Sequence, residues 1–355
     1  MNRRGGWDGI PSSVTASITA ALGVAGSVEV QATRGTSSEF VGKLSAPGEL
    51  DPVFVKIVMD KVPGDLAMFL NETELARRLP ALMPAIVETG EHRLQYPNQP
   101  PGPLYSWRVQ EWVPGRTPGP DIAGADVERM ASLAARLTPS TLHLAGAVSL
   151  HSVQELATKH FTQWRSLEKD PRLALNLQSE VGKWAFARRS QLANLEARAA
   201  SAVAGSHLVH LDAGPHNVIF GQNPEDDRFI DWVPGSGPEW VTLVHSVLFV
   251  AGRRRALDPA ADIADLHAIL RAKLDDAGID REKVVSYLVG LAGFAMHGPG
   301  RQDVPPSFLV ADLEGVLAFT QAELAHLEPD PPRSTPVRLA GRLRDRVSGV
   351  FRRSQ

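Results

Sequence analysis

The stretch HLVHLDAGPHNVIFGQNPEDDRFIDW, residues 207–232, contains the polar residues that decide the fold of this chain. Asp212 and Asn217 lie in a loop between two short segments rich in Val and Ile, and Asp231 closes a third such segment, "RFID". Strand-like residues on both sides predict a strand, a loop and a short hairpin. Because only a hairpin separates Asn217 from Asp231, we expect the two side chains to return to one place.

Phosphoryl transfer accounts for these three residue types. The loop has the pattern His-x-Asp-x-x-x-x-Asn, which is the spacing of a kinase catalytic loop. Asp212 would accept the proton of an attacking hydroxyl. Asn217 would bind Mg²⁺ through its amide oxygen, and Asp231 would hold Mg²⁺ against the phosphates of the donor. Each residue alone is more commonly an ordinary turn or strand-end residue, but together they favour a catalytic site.

Composition narrows the class of protein. A chain of 355 residues, 43% of them hydrophobic, can form about two domains or lobes. The net charge of −3 argues against nucleic-acid binding, and the absence of cysteine excludes disulfides and thiolate metal sites. The amino-terminal segment predicts a helix capped by Ser12 or Ser13 rather than a signal peptide. No apolar run approaches the roughly 20 residues of a membrane span, so we expect a cytoplasmic protein.

The pattern along the chain predicts an α+β fold of two lobes. A β-rich, nucleotide-binding lobe with one helix, at Asp65–Leu79, would occupy residues 1–113. A Pro- and Gly-rich linker, 114–124, would join it to a mostly helical lobe, 125–327. A Pro-rich linker and a basic tail follow at 328–355. The predicted helices of the second lobe are 125–137, 150–168, 175–202, 260–276, 281–297 and 307–327.

A nucleotide-binding site should also require recognisable sequence motifs in the first lobe. "RGTSSEF", residues 34–40, is a turn of small residues between two strands, where backbone N–H groups can approach phosphate. Lys56 follows in the strand "VFVKIV", after the turn and before the helix, where a kinase has its phosphate-binding Lys. Glu72 and Glu74 lie on that helix, and either could pair with Lys56.

These motifs resemble those of the aminoglycoside phosphotransferase family, which has the protein-kinase-like fold. The family typically has "HGDLHPGN" followed by "IDW", and the matching stretches here are "HLDAGPHN" and "FIDW". "NETELARRLPALMP" resembles the family helix, with Glu72 at the pairing glutamate, and "VQEWVPG" (109–115) resembles its hinge strand. The similarity covers roughly residues 27–327 and is most specific in the catalytic loop.

The resemblance implies a role for each matching residue. Asp212 would be the catalytic base, Asn217 and Asp231 the Mg²⁺ ligands, and Lys56 the contact to the phosphates of ATP or GTP, positioned by Glu72. The other nucleotide contacts would come from the phosphate-covering loop and from the hinge backbone: Gly35, Thr36, Ser37, Ser38, Gln110, Glu111, Trp112 and Val113. His210 would pack the catalytic loop rather than transfer protons.

The chain also departs from the family pattern. Leu211 replaces a Gly, Gly214 replaces a His, and His216 replaces a Gly, and none of these changes removes a chemical role. Thr242 stands where the family tends to have an Asp that braces the catalytic loop. From this substitution we expect a less rigid loop.

Three functions remain open at this point. The leading hypothesis is an ATP-dependent phosphotransferase acting on a hydroxyl of an aminoglycoside-type antibiotic or similar small metabolite. The second is a catalytically inactive, kinase-like nucleotide-binding module, and the third is a metal hydrolase built from His207, His210, Asp212 and His216. An aminoglycoside is a polycation and would need acidic residues in its cleft. Candidates for these are Asp121, Asp126, Glu155, Glu239 and Asp303.

The tail is distinct from the rest of the chain. Residues 333–355 include seven Arg and one Asp, and apolar residues recur there at helical spacing. A helix packed on the acidic body or a solvated tail would explain this composition. The alternative is an amphipathic helix that makes weak contact with an anionic surface such as a membrane.

Overall fold

The computed structural model describes residues 6–32, 38–61, 63–97, 99–119, 122, 124–137, 150–167, 177–258, 261–296 and 313–327. Within these residues the fold is α+β, with an antiparallel sheet in the first lobe and mostly helices in the second, so the predicted fold class is confirmed. None of the described helices is long and apolar enough to cross a membrane.

The first lobe is built on one five-stranded antiparallel sheet. Its strands are β1 (Glu29–Ala32), β2 (Phe40–Ala46), β3 (Leu50–Met59), β4 (Ile86–Arg93) and β5 (Leu104–Glu111), in the spatial order β1-β2-β3-β5-β4. The central strand β3 pairs with β2 on one side and with β5 on the other. It is therefore shielded on both edges, as its run of Val and Ile predicts.

Alternation along β3 and β5 gives the sheet two different faces. Val55 and Ile57 of β3, with Trp107 and Val109 of β5, belong to a small core that also includes residues of helix α1 (Ser12–Ala21). Lys56 and Arg108, which lie between these residues, are polar and point to the opposite face, where helix α2 (Pro63–Arg78) covers them. The two faces thus separate a structural core from a buried polar layer.

The second lobe surrounds a larger core. Its helices are α3 (Gly124–Ala135), α4 (Val153–His160), α5 (Gln163–Leu167), α6 (Glu180–Ala187), α7 (Arg189–Ala202), α8 (Trp240–Leu257), α9 (Ala264–Asp276), α10 (Arg281–Ala295) and α11 (Leu313–Leu327). Leu75 near the end of α2 and Leu79 directly after it are part of the same core. The helix that covers the polar face of the sheet is therefore also anchored in the second lobe.

Two small sheets interrupt these helices. β6 (His151–Ser152), β7 (His207–His210) and β10 (Pro234–Gly237) form one, with β10 in the middle, and β8 (Val218–Ile219) pairs with β9 (Arg228–Phe229) in the other. The predicted strand pair around the catalytic loop is present, whereas β6 and β10 were not predicted. Each is too short for an alternating pattern to reveal it.

Several predicted helix bounds were wrong. The segment 240–257 was not predicted as a helix, because its polar residues are buried together with its apolar ones and leave no amphipathic period. Helix α1 has Pro11 rather than Ser12 or Ser13 at its N-cap, and no side chain caps it. The predicted helix 150–168 is broken in two, because the carboxylate of Glu196 accepts the first N–H groups of α5. The predicted helix 175–202 is likewise divided, into α6 and α7.

Candidate active site

The β8–β9 hairpin brings the two predicted metal ligands together. Asn217 ends a single 3₁₀ turn just before β8, and Val218 of β8 is paired with Phe229 of β9. The N–H of Ile230 donates to the carbonyl of Asn217 at 2.8 Å. Asp231 is the next residue, so it lies beside Asn217, as the hairpin spacing predicted.

The catalytic loop is held by its own backbone and side chains. Asn217 donates from Nδ2 to the carbonyl of Asp212 at 2.9 Å, which leaves its amide oxygen for another partner. The N–H of Asp212 donates to Nδ1 of His210 at 3.1 Å. The Oδ1 atom of Asp212 is buried and has no hydrogen-bond partner among the described residues. Nε2 of His216 lies 3.5 Å from this atom, which is too far for a good hydrogen bond. A buried carboxylate oxygen that accepts no hydrogen bond is costly unless a ligand or substrate supplies one.

Two side chains of helix α8 hydrogen-bond to the backbone of this loop. Thr242 accepts the N–H of His210 at 2.9 Å, so the residue that replaces the family Asp still contacts the loop. His245, one turn further along the same helix face, donates from Nδ1 to the carbonyl of Leu211 at 2.7 Å. Its Nε2 accepts the hydroxyl of Tyr287 at 2.6 Å. Helix α8 therefore still contacts the loop despite the substitution at Thr242, and the sequence analysis missed His245.

His210 is completely buried and packs on aromatic rings. Its ring stacks on Trp232 with centroids 4.6 Å apart and meets the edge of Phe229 at 5.2 Å. Burial lowers the pKa of His210 to about 4, although the nearby Asp212 opposes this shift. The ring is neutral at pH 7 and out of reach of a substrate, which agrees with the packing role predicted for it.

Lys56 connects the two lobes. Its Nζ lies 2.9 Å from Oε2 of Glu72 and 2.5 Å from Oδ1 of Asp231. Glu74, the other candidate partner, pairs instead with Arg78 on the helix surface. Asp231 has a φ of 51°, which makes it the one non-glycine residue with a positive φ in the described part of the chain. Such strain is retained where the surroundings hold the residue, and it is common at functional sites.

A buried arginine completes this charged cluster. Arg108 lies on β5, is only 1% exposed, and its Nη2 is 2.5 Å from Oε1 of Glu72. Burial alone would raise the pKa of Glu72, but Arg108 and then Lys56 more than offset this effect and lower it to about 2. The sequence analysis missed Arg108, because a polar residue alternating with apolar ones in a strand normally predicts a solvent-facing side chain.

The predicted hinge residues have different environments. Gln110 is buried and donates from Nε2 to the carbonyl of Pro84 at 3.1 Å. The N–H of Glu111 donates to Ala85 at 2.9 Å, so it cannot also bind adenine. Trp112 is 37% exposed and lies under Nζ of Lys43, and Val113 is half-buried. For Glu111 the implied backbone contact can come from its carbonyl alone.

Other predicted residues are only partly covered by the structure. Gly35, Thr36 and Ser37 lie outside the described residues, whereas Ser38 is described and buried. The acidic candidates Asp121 and Asp303 also lie outside. Asp126 forms a two-bond ion pair with Arg116 at 3.0 and 2.6 Å, so its charge is already compensated. Glu155 is exposed and Glu239 is half-buried.

The structure does not support the metal-hydrolase alternative. The described residues contain no group of three or more His, Cys, Asp or Glu side chains placed to hold a metal ion. His210, one of the four proposed ligands, is enclosed by Trp232 and Phe229. The site instead contains the amide of Asn217 and the carboxylate of Asp231, and each of these groups could bind a metal ion through oxygen.

Together the fold and the site define a phosphotransferase of the kinase-like class. A family model described as the phosphotransferase enzyme family, APH, matches residues 47–283, which is about two thirds of the chain. The chain therefore belongs to the APH phosphotransferase family, and it is an enzyme that transfers phosphoryl groups to an alcohol group of a small molecule. The family resemblance found in the sequence is confirmed.

Solved structures of similar fold include three named proteins. Aminoglycoside phosphotransferase from Alicyclobacillus acidocaldarius is 14% identical over 84% of this chain and 91% of that one, with a TM-score of 0.47. A thermostable mutant of APH(4)-Ia, in complex with ADP and hygromycin B, is 12% identical over 88% and 98%, with a TM-score of 0.47. Plasmodium vivax ethanolamine kinase is 12% identical over 84% and 81%, with a TM-score of 0.42. No curated protein matches the chain significantly.

Proposed function

We propose that this enzyme transfers the γ-phosphate of ATP or GTP to a hydroxyl of an aminoglycoside-type antibiotic or a similar hydroxylated metabolite. One observation carries the proposal: the buried Oδ1 of Asp212, which accepts no hydrogen bond from the described residues and has Nε2 of His216 3.5 Å away, lies in the loop whose far end, Asn217, adjoins Asp231. Lys56 contacts Asp231 from the other lobe. A proton acceptor, two cation-binding oxygens and a phosphate-binding ammonium are thus assembled from distant parts of the sequence.

Asp212 is the catalytic base in this proposal. Its backbone is held on both sides, by His210 at the N–H and by Asn217 at the carbonyl. The carboxylate therefore keeps its position while the acceptor hydroxyl approaches and gives up its proton. A fixed base near the attacking oxygen avoids reorganisation during the reaction.

Asn217 and Asp231 suit Mg²⁺. Both offer oxygen, and Mg²⁺ usually takes one or two such protein ligands and completes its coordination with phosphate and water. When bound, the ion would neutralise charge on the phosphates. Lys56, which Asp231 now holds, would then bind the α- and β-phosphates, while Glu72 keeps its ammonium in place.

The nucleotide would lie between the two lobes. We place it between the sheet of residues 1–113 and the catalytic lobe of residues 125–327, which the hinge 114–124 connects. The backbone of Gln110 to Val113 would meet adenine, and Gly35 to Ser38 would cover the phosphates. Gly115 supports this geometry, because a Cβ at that position would lie 2.2 Å from the carbonyl oxygen of Phe220, so the start of the hinge passes directly against the end of β8.

Substitution of the base tests the proposal. In Asp212→Asn we expect kcat to fall by roughly 100- to 10,000-fold, because only proton acceptance is lost. Calorimetry should show that the variant still binds MgATP. The assay is ATP consumption across a panel of hydroxylated antibiotics and metabolites, and Asp276→Asn, an exposed Asp at the end of α9, is the matched control.

Two outcomes would contradict the proposal. Turnover of Asp212→Asn close to that of the wild type would remove Asp212 from the chemistry. Tight MgATP binding by the wild type without turnover of any acceptor would favour the inactive nucleotide-binding module.

A further inference from the structure

Two cations face each other inside the first lobe. Lys56 on β3 and Arg108 on β5 are direct cross-strand partners, and they are only 6% and 1% exposed. Like charges directly opposite each other destabilise a sheet. Buried charges moreover need a counter-ion, because desolvation of an unpaired charge is very costly.

Glu72 is the counter-ion that the two cations share. One of its oxygens binds Lys56 at 2.9 Å and the other binds Arg108 at 2.5 Å. Asp231 contacts Lys56 at 2.5 Å and balances the remaining charge. If Asp231 held a cation instead, Lys56, Arg108 and Glu72 together would have one positive charge in excess.

Arg108 is held firmly in this arrangement. Its Nε donates to Oε1 of Gln110 at 3.0 Å, its Nη1 donates to Thr73 at 3.3 Å, and its guanidinium packs 5.1 Å from the ring centroid of Phe69. Gln110 in turn donates to the carbonyl of Pro84 just before β4. A continuous line of polar contacts therefore runs from the hinge strand through the buried Arg108 and Glu72 to Lys56 and the half-exposed Asp231.

We propose that Arg108 is a positioning residue for phosphoryl transfer: it occupies one oxygen of Glu72 and so leaves Lys56 with charge to bind nucleotide phosphates. The inference rests on the proposed function, since it assumes that Lys56 binds those phosphates. Without Arg108, both oxygens of Glu72 would compete with the nucleotide for the same ammonium. Arg108 acts through Glu72 and does not contact the nucleotide itself.

Comparison of ligands with and without phosphate separates this role from a purely structural one. In Arg108→Met we expect the affinity for MgADP to fall about ten-fold, which is the typical effect of one hydrogen bond to a charged group. Affinity for adenosine should stay unchanged, because adenosine has no phosphate. Arg108→Lys keeps the charge near Glu72 and should recover part of the MgADP affinity. Calorimetry measures each of these affinities.

A second pair of variants tests whether Arg108 acts through Glu72. In a Glu72→Gln background, Arg108→Met should change MgADP affinity by less than about two-fold, because the competing charge is already gone. This double variant also leaves no unpaired buried carboxylate, so it remains informative where Arg108→Met alone does not fold. Arg254→Met, which removes a partly buried Arg–Asp pair between α8 and α9, is the control for the loss of an arginine.

The outcomes distinguish failure of the proposed function from failure of the proposed role of Arg108. If wild-type protein binds neither MgATP nor MgADP, the proposed function itself fails. If wild-type protein binds MgADP but Arg108→Met weakens MgADP and adenosine equally, or weakens neither, the role of Arg108 is overturned. A ten-fold loss that persists in the Glu72→Gln background would overturn it as well.

Discussion

Two buried histidines show how single residues hold the catalytic loop in place. His210 accepts the N–H of Asp212, whereas His245 donates to the carbonyl of Leu211. Burial lowers the pKa of each histidine to about 4, so both are neutral at pH 7. A neutral imidazole has one donor and one acceptor nitrogen, and each histidine uses the one that its loop contact requires.

This burial predicts a dependence of stability on pH. His245 has a pKa of about 4 when folded, against 6.5 when unfolded, so between these values only the unfolded state binds the proton. The free energy of unfolding should therefore fall as pH drops from 6.5 toward 4. In His245→Gln, which can form the same two hydrogen bonds without titrating, the decrease between pH 7 and 4.5 should be smaller by about 2 kcal/mol.

Denaturant unfolding at several pH values measures this difference. His151→Gln, a substitution of an exposed histidine on β6, is the control and should leave the slope unchanged. An identical slope in His245→Gln and wild type would mean that folding does not shift the pKa of His245.

At the scale of an element, the β8–β9 hairpin is clamped to helix α3. Asp227 accepts from both Nε and Nη2 of Arg129, at 2.6 and 2.5 Å, and from the N–H of Gly221 at 3.0 Å. Arg129 also packs 4.8 Å from the ring centroid of Phe220. This clamp holds the hairpin whose two ends carry Asn217 and Asp231.

Removal of the clamp should affect both stability and activity. In Asp227→Ala we expect a loss of about 3 kcal/mol in the free energy of unfolding, because Arg129 loses its partner in a largely buried pair. We also expect a weaker apparent affinity for Mg²⁺ in the phosphotransfer assay, because the proposed ligands Asn217 and Asp231 would no longer be held side by side.

The neighbouring residue provides the matched control. Asp226 lies on the same turn, and among the described residues its side chain is hydrogen-bonded to Asn223 alone, near the surface, so Asp226→Ala should cost less than about 1 kcal/mol. Equal effects of the two substitutions on stability and on Mg²⁺ dependence would show that the clamp has no special role.

At the scale of the whole molecule, charge is unevenly distributed between the tail and the rest. Residues 333–355 carry a net charge of +6, so a chain with −3 overall has −9 in the remainder. The tail lies outside the described residues. Because it follows a Pro-rich segment of the sequence, we predict that it does not contribute to the active site.

Truncation after Pro332 should separate the two parts. We expect kcat/KM to stay within a few-fold of the full-length value, and any salt-sensitive binding to anionic vesicles to disappear. Sedimentation with vesicles of anionic and neutral lipid at low and high salt measures the second effect. Loss of activity on truncation would place the tail in the catalytic fold, and a full-length protein that ignores anionic vesicles at low salt would end the membrane hypothesis.

Part of the fold and of the site could be predicted because it depends on local sequence. The spacing of Asp212, Asn217 and Asp231 is set by one loop and one hairpin, so their proximity follows from short-range geometry. Lys56 could be placed because the strand and the helix that follow the glycine turn have clear periodicity. Here the sequence alone determined the α+β class and the family, and it supplied the catalytic constellation that we propose.

Only the tertiary structure decided which face of each element is buried. Arg108 alternates with Trp107 and Val109 as an exposed residue would, yet α2 covers it, so its burial depends on a helix more than thirty residues earlier in the chain. The choice of Glu72 over Glu74, and the brace from His245, likewise depend on packing between distant segments. Periodicity shows that a strand or helix has two faces, but the partner that covers each face is set by the three-dimensional arrangement of the whole chain.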